Sequence, residues 1–158
     1  MLLLLCPIGN DFYALPASSV IEVLPAVPCR KVPQSHRAIV GLLQYHGDPI
    51  PVLDLAQLMG HPPCSRLMSR RILLIRYGSG STTRRYIGLL VEKLTNTVRA
   101  EQSDFRPSIE VPVARYLGPV VPIDEGWAQR IELEYLLNSE LRAELFPEAI
   151  PNGLRESH

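Results

Sequence analysis

A short stretch near the middle of the chain places one imidazole and two carboxylates among apolar residues. The sequence YHGDPIPVLDL, residues 45–55, contains His46, Asp48 and Asp54. Side chains of these types could bind a metal ion or act as general acid and base. They also suit a turn and a helix cap around a buried strand, because Gly and Asp favour turns and Asp is a good N-cap. Choosing between these interpretations decides whether the chain is an enzyme.

Other groups that could do chemistry are sparse and poorly paired. The histidines His36, His46, His61 and His158 show no metal-ligand spacing. Cys64 lies three residues after His61, but two prolines separate them and no second ligand pair follows. We therefore expect no metal, no cofactor and no catalytic residue. A small hydrolase that uses Cys64 is the enzymatic alternative.

Composition excludes several classes of partner. The 16 basic and 16 acidic residues cancel, so the chain lacks the long-range positive field that attracts nucleic acid or anionic membranes. Three cysteines are an odd and sparse set, as expected for free thiols in a reducing compartment. The apolar start MLLLLCPIG has no basic flank and is interrupted by Pro7, unlike a secretory signal. We expect a cytoplasmic protein without membrane insertion, whose first residues form a buried strand.

The elements that position these residues should be short. The 15 prolines are spread along the chain, and proline interrupts helices and central strands. The first half predicts a hairpin over 2–8 and 12–16, a helical turn at 17–23, and a second helical turn at the start of 35–43. Gly41 would end that second turn. Gly47 then lies in the turn of a second hairpin.

The remaining elements follow the same theme. Asp54 is the predicted N-cap of a short helix, LAQLMG. The second half predicts another hairpin, closed by a loop at 78–85, then further strands and a helix capped by Ser139. About ten short strands separated by frequent turns favour small antiparallel barrels over a parallel sheet. The pattern therefore predicts a mainly β chain with two small barrels.

Two strings in the first half carry a family resemblance. YALPASSVIEVLP and IVGLLQYHGDPIPVLDLAQLMG resemble the pattern of the CheW family of chemotaxis adaptors, with V-x-E followed by a glycine-containing hairpin and an apolar P-x-x-D-L strand end. The second half resembles the family more loosely through RYIGLLVEKLTNTVR and RIELEYLL, so the likeness covers residues 2–147. The residues that match in order are Tyr13, Val20, Glu22, Val23, Gly41, Gly47, Pro51, Asp54 and Leu55.

This resemblance implies two intertwined five-stranded SH3-like barrels around a hydrophobic groove, with short helices and a C-terminal helix. We expect one domain at 1–147, with barrel one mainly in 1–60, barrel two mainly in 70–135 and the C-terminal helix at 139–146. A flexible tail is expected at 148–158. The resemblance also implies a non-enzymatic adaptor, recruited to membrane receptor arrays. It would join the cytoplasmic tip of a methyl-accepting chemoreceptor to the regulatory domain of a CheA-type histidine kinase.

The same resemblance assigns residues to the two partners. Receptor contacts carry over to Val20, Glu22 and Val23, with His46 as a further interface residue. Plain core packing is the alternative for the two valines. Kinase contacts carry over to two residues at a barrel end, Arg106 and Pro107. Structural roles are expected for Gly41, Gly47 and Asp54.

The sequence departs from the family pattern at two places. His46 replaces the arginine of the family's R-G motif, and Glu92 replaces the aspartate of its V-D motif. Arginine can hold a glutamate through two charged hydrogen bonds, whereas histidine offers one donor and an ordinary imidazole changes charge at about pH 6.5. We therefore expect His46 to hold Glu22 less tightly than the family arginine would, and to tune an interface.

The sequence also suggests a subgroup of the family and leaves an alternative function open. The short start at Met1, the YHG turn and the ELF ending resemble adaptors of Wsp-type surface-sensing systems more than flagellar ones. An SH3-like barrel that binds another peptide or nucleic acid is the alternative function. Only 6% of the residues are aromatic, which argues against a stacking platform for single-stranded nucleic acid.

Overall fold

The computed structural model describes residues 1–77 and 85–146 and is built mainly from strands. Most of the predicted 78–85 loop and the whole 148–158 tail lie outside the described residues. The strands are β1 (Leu2–Ile8), β2 (Asp11–Pro16), β3 (Val20–Pro25), β4 (Ile39–Tyr45), β5 (Asp48–Asp54), β6 (Arg71–Arg76), β7 (Tyr86–Val91), β8 (Thr97–Arg99), β9 (Leu117–Ile123) and β10 (Gly126–Ile131).

The helices are short. They are α1 (Leu55–Leu58) and α2 (Ser139–Leu145), with 3₁₀ turns at Ala17–Ser19, Gln102–Asp104, Pro112–Ala114 and Leu133–Tyr135. In the two described segments, no helix has the length and apolar character needed to cross a bilayer.

The strands form two five-stranded sheets. One sheet has the order β8-β1-β2-β10-β9, and the other has the order β3-β6-β7-β5-β4. Each contains one parallel pair, β2 with β10 and β5 with β7, between antiparallel hairpins. We call the first the terminal barrel and the second the central barrel, after the parts of the chain that supply their strands. The prediction of a mainly β chain with two five-stranded units is confirmed.

Each sheet closes through a backbone bridge between its two edges. In the central barrel, the chain that leaves β3 pairs Arg30 with Leu42 of β4, with N···O distances of 2.9 and 2.8 Å. In the terminal barrel, the chain that leaves β8 pairs Arg106 with Val120 of β9, at 2.8 and 2.9 Å. The bridges satisfy edge N–H and C=O groups that an open sheet would leave unpaired. Both sheets are therefore small barrels.

The two barrels exchange hairpins. The chain twice forms a hairpin followed by three strands and a helical segment: β1 to β5 with α1, then β6 to β10 with the last 3₁₀ turn. Each barrel combines the hairpin of one repeat with the three strands of the other. Each barrel therefore takes three of its five strands from one of the expected ranges, mainly 1–60 or mainly 70–135, and exchanges its hairpin with the other barrel. The short 3₁₀ turn after β2 causes this, because it sends β3 to pair with β6.

Both faces of the inner strands are buried. In β1, Leu3 and Leu5 point into the terminal barrel, while Cys6 and Ile8 join a larger cluster packed between the barrels. A third cluster fills the central barrel and includes Ile72 of β6. A strand with two buried faces needs apolar residues at successive positions. This explains the continuous apolar run MLLLLCPI at the start of the chain.

Two predicted helical turns are wrong in their extent. Helical backbone at 17–23 is limited to the 3₁₀ turn Ala17–Ser19, because the β-branched residues that follow extend into β3 and pair with β6. The segment 35–43 turns at its start but becomes β4 from Ile39. Gly41 therefore lies within a strand, where the pairing with β5 is shifted, and does not end a turn.

The terminal helix has a different cap from the predicted one. Asn138, not Ser139, precedes α2 in an extended conformation, and its Oδ1 accepts a 2.7 Å hydrogen bond from the Leu141 N–H. Asparagine is as good an N-cap as serine. The helix begins one residue later than the Asn138 cap, as the cap geometry requires.

Candidate protein-interaction site

An exposed apolar strip runs along β3 and the chain that follows it. Ile21, Val23, Val27 and Val32 expose 48, 44, 43 and 39% of their surface. β3 is an edge strand of the central barrel, and among the strands that the structure describes it pairs with β6 alone. Exposed apolar residues gathered on a sheet edge are typical of a protein-binding surface. Of the predicted receptor-binding residues, Val23 belongs to this apolar strip and Glu22 lies beside it in β3.

The two valines predicted to bind the receptor have different environments. Val20 is half-buried and packs against the cluster between the barrels. Val23 is exposed on the apolar strip, and its neighbour Leu24 packs inside the central barrel. Val20 therefore supports the fold from below the surface, whereas Val23 lies on the surface itself.

Glu22 is held by a residue that the sequence patterns did not indicate. The Tyr45 hydroxyl donates a 2.5 Å hydrogen bond to Glu22 Oε1. This bond raises the pKa of the Tyr45 phenol, with some help from desolvation. The expected hydrogen bond from His46 to Glu22 is not formed. Tyr45 ends β4 and Glu22 lies in β3, so finding the pair requires knowing that these two edges meet when the barrel closes.

His46 instead shapes the turn beside this contact. His46 and Gly47 have φ angles of +49° and +87° between β4 and β5. Two successive positive φ values define the two-residue turn that best fits twisted hairpins, and glycine suits its second position. The His46 ring packs edge-on against Tyr45, with centroids 4.3 Å apart. His46 therefore touches Glu22's partner rather than Glu22.

Asp54 is buried and binds several backbone donors. It occupies the N-cap of α1, where Oδ1 accepts hydrogen bonds from Ala56 and Gln57 N–H at 3.0 and 3.5 Å. Oδ2 accepts from the Cys64 N–H at 2.9 Å and from the Gln57 side chain at 3.3 Å. One carboxylate thus caps the start of α1 and holds the proline-rich segment beyond it through the Cys64 N–H. These contacts are structural rather than catalytic.

The arrangement around Cys64 argues against a cysteine hydrolase. Burial, followed by the nearby Asp54 charge, raises the pKa of the Cys64 thiol to about 11. A thiol with that pKa is almost wholly protonated at neutral pH and is a poor nucleophile. His61 does not serve as its base, because its Nε2 lies 3.2 Å from the Tyr13 hydroxyl. Across residues 1–77 and 85–146, no three metal-ligating side chains come together.

The predicted kinase-binding residues lie on the terminal barrel. Arg106 and Pro107 are exposed just after β8, where the Arg106 backbone closes the barrel. The Arg106 guanidinium donates to the Ser103 and Phe105 carbonyl oxygens at 2.7 and 3.2 Å. The structure therefore places these residues and the apolar strip on different barrels.

A second exposed apolar group near Arg106 was also missed from the sequence. Ile109 and Val113 expose 80 and 92% of their surface in the segment between Arg106 and β9. The sequence shows apolar residues in this proline-containing segment. It does not show whether such loop residues are buried or exposed, so the exposed group could not be predicted. Together with Arg106 and Pro107, they give the terminal barrel a partly apolar surface of its own.

Comparisons with known proteins place the chain in a family. The model of the CheW-like domain matches residues 2–141. The chain is 24% identical over 134 residues to a probable chemotaxis protein CheW of Rhizobium etli, covering 83% of each protein. It is 23% identical over 100 residues to the chemotaxis protein CheW of Helicobacter pylori, covering 63% of this chain and 58% of that protein.

A solved structure has the same fold. The crystal structure of the scaffolding protein TtCheW from Thermoanaerobacter tengcongensis superposes with a TM-score of 0.77 over 89% of both chains, at 20% sequence identity. The family match covers nearly all of the described residues, which confirms the predicted family resemblance. This chain belongs to the CheW-like domain family.

Proposed function

We propose that this chain is a non-enzymatic chemosensory adaptor. It couples the cytoplasmic tip of a methyl-accepting chemoreceptor to the regulatory domain of a CheA-type histidine kinase. The observation that carries this proposal is the exposed apolar strip on β3, in a chain of the CheW-like family whose relatives include a scaffolding protein. The protonated Cys64 thiol and the separate partners of His61 and Asp54 support a role in binding over a role in catalysis.

The receptor binds the apolar strip in this proposal. Val23 and Glu22 make direct contacts, Val20 supports the strand from the core side, and His46 borders the surface through Tyr45. Signalling contacts of this kind are small, and a dissociation constant near about 1 μM corresponds to about −8 kcal/mol.

The kinase regulatory domain binds the terminal barrel beside Arg106 and Pro107. Two surfaces on separate barrels support simultaneous binding, because the two partners would contact different sheets. Simultaneous binding is what an adaptor needs and what an ordinary peptide-binding barrel does not provide.

The setting of the adaptor is also part of the proposal. It works in the cytoplasm, recruited to membrane receptor arrays by the receptor itself rather than by insertion. Its Wsp-type features, the YHG turn and the ELF ending, favour a surface-sensing system over a flagellar one. A receptor gene and a hybrid-kinase gene beside this one would support that subgroup, whereas a flagellar gene cluster would contradict it.

A three-component pull-down tests the proposal. The receptor's cytoplasmic fragment is immobilised, and the kinase regulatory domain is added with and without this chain. We expect the kinase domain to be retained only when the chain is present. Failure of the chain to bind the receptor fragment, or binding to one partner at the expense of the other, would contradict the adaptor role. Retention on DNA at low salt would instead favour the nucleic-acid alternative.

A further inference from the structure

We propose that Tyr45 is a positioning residue that fixes Glu22 as an unneutralised negative charge on the apolar strip. The receptor must therefore offer a basic side chain at that point. This inference rests on the proposed function, because it assumes that the receptor covers β3. It identifies both the residue that orients Glu22 and the chemistry of the group that Glu22 meets.

The geometry supports the positioning role. Tyr45 and Glu22 come from β4 and β3, the two edges of the central barrel, and their 2.5 Å hydrogen bond spans the gap between those edges. A hydrogen bond to a charged acceptor is stronger and more directional than one between neutral groups. The His46 ring packs edge-on against Tyr45, which restricts the rotamers open to the phenol. Glu22 therefore has a defined orientation although it is exposed.

The charges around Glu22 support the second part of the inference. Tyr45 is a neutral donor, and within the described residues Glu22 forms no ion pair. His46 packs on the Tyr45 ring, and Tyr86 lies close enough to act on the Tyr45 phenol. Glu132 on the terminal barrel is different, because Arg130 pairs with it at 2.7 Å. Glu22 therefore has no counter-charge among the described residues, whereas Glu132 has Arg130.

The surroundings of Glu22 determine what the partner must supply. Its neighbours Ile21 and Val23 are apolar and exposed, so a partner that buries them also removes water from the carboxylate. A buried charge without a counter-charge strongly disfavours binding. The receptor surface that fits is therefore apolar with one lysine or arginine facing Glu22. With an arginine in place of His46, the adaptor would supply that counter-charge itself.

The experiment measures affinity for the receptor's cytoplasmic fragment at several salt concentrations. The variants are Tyr45→Phe, Glu22→Gln and the double variant, with Tyr135→Phe as the matched control. Tyr135 is 40% exposed, lies in the 3₁₀ turn after β10 and touches Arg115 through its ring, so the control removes a phenol hydroxyl outside β3 and β4. Each variant's melting temperature is measured alongside, since loss of one exposed hydrogen bond should leave it almost unchanged.

We expect Tyr45→Phe to weaken binding about fivefold and Glu22→Gln to weaken it about tenfold at low salt. The double variant should bind about as well as Glu22→Gln alone, since the two residues act through one contact. Glu22→Gln should also remove most of the salt dependence, while Tyr135→Phe should bind as wild type. Unchanged binding by Tyr45→Phe, or independent effects that multiply in the double variant, would overturn the positioning role.

The predicted basic group on the receptor is tested separately by the salt dependence of binding. If Glu22→Gln keeps the salt dependence of wild type, the receptor does not place a basic group there and that part of the inference is wrong. Failure of the wild-type chain to bind any receptor fragment is a different outcome. It overturns the proposed function, and this inference falls with it.

Discussion

The central and terminal barrels share one strand order but use corresponding strands differently. β3 and β8 occupy the same edge position, yet β3 has six residues and β8 has three. A long exposed edge with apolar side chains risks unwanted pairing unless a partner covers it, whereas a short edge carries little risk. In the proposed function, the long edge of the central barrel binds the receptor, while the terminal barrel presents a loop surface after its short edge.

The barrels also differ where the last strand ends. In the central barrel, Asp54 is 3% exposed and anchors both α1 and the following segment. At the corresponding point of the terminal barrel, Glu132 precedes a 3₁₀ turn, provides no cap and pairs with Arg130. Asp54 therefore makes more structural hydrogen bonds than Glu132, although the two residues occupy corresponding positions. Substitution of Asp54 should lower the free energy of unfolding more than substitution of Glu132.

The largest expected difference in stability between matched substitutions concerns the glycines near the two closing bridges, Gly41 and Gly118. A Cβ on Gly41 would lie 2.4 Å from the Arg30 carbonyl oxygen, at a φ of +153° that favours glycine. Gly41→Ala should therefore cost at least about 2–3 kcal/mol. At Gly118 the nearest atom, 2.6 Å away, is the Oε1 of Glu132, at the end of a side chain that can move. Gly118→Ala should cost about 1 kcal/mol.

Urea unfolding of both glycine variants checks this prediction. Equal losses of unfolding free energy would show that the central bridge is no more constrained than its counterpart. A mild effect of Gly41→Ala alone would mean that the segment around Arg30 can move away from β4.

The acidic pair should show the next largest difference. Asp54→Ala leaves the Cys64, Ala56 and Gln57 donors without their acceptor and should cost about 2–3 kcal/mol. Glu132→Ala removes a partly exposed ion pair, which is worth about 0.2–1 kcal/mol. Thermal and urea melts of the two variants measure the difference. Normal receptor binding by the folded fraction of Asp54→Ala is also expected, and loss of binding without loss of stability would contradict its structural role.

Alkaline pH should destabilise the protein through its buried thiols. Burial raises the pKa of Cys6 to about 12, so the folded chain holds this proton more tightly than the unfolded chain does. Stability is therefore fully present below about pH 9 and falls at higher pH, by about 1.4 kcal/mol per pH unit for one such thiol. The more exposed Cys64 should contribute a smaller loss in the same direction.

Unfolding free energies measured between pH 8 and pH 10 test whether stability falls as the pH rises and whether Cys6 causes the fall. Cys6→Ala lowers stability overall but should flatten the pH dependence, and Cys64→Ala should flatten it less. A pH dependence unchanged by Cys6→Ala would show that another group causes the loss.

Local pairing was predictable from the residues themselves, whereas the intertwining of the two barrels was expected only from the family resemblance. The turn residues at Gly9 and Gly47 and the alternation around them are short-range signals, so the hairpins could be assigned. The parallel pairing of β2 with β10 joins residues more than a hundred positions apart, and no local pattern encodes it. β-branched residues at Val20, Ile21 and Val23 favoured the strand that formed over the helical turn expected there.

The site was predictable only in part for the same reason. The family resemblance led to Glu22 and Val23, and both lie exposed on the central barrel. Tyr45 was missed because its contact with Glu22 exists only after the two edges of the barrel meet. Likewise, the sequence could not show that Val20 faces the core between the barrels while Val23 faces solvent.

The central claim is that the central barrel binds the receptor and the terminal barrel binds the kinase. The most direct test measures the affinity of Val23→Asp and Arg106→Glu for both partners, after confirming that each variant folds. We expect Val23→Asp to weaken receptor binding at least about tenfold with kinase binding unchanged, and Arg106→Glu to show the reverse. Loss of both affinities in either variant, or of neither in both, would contradict the account.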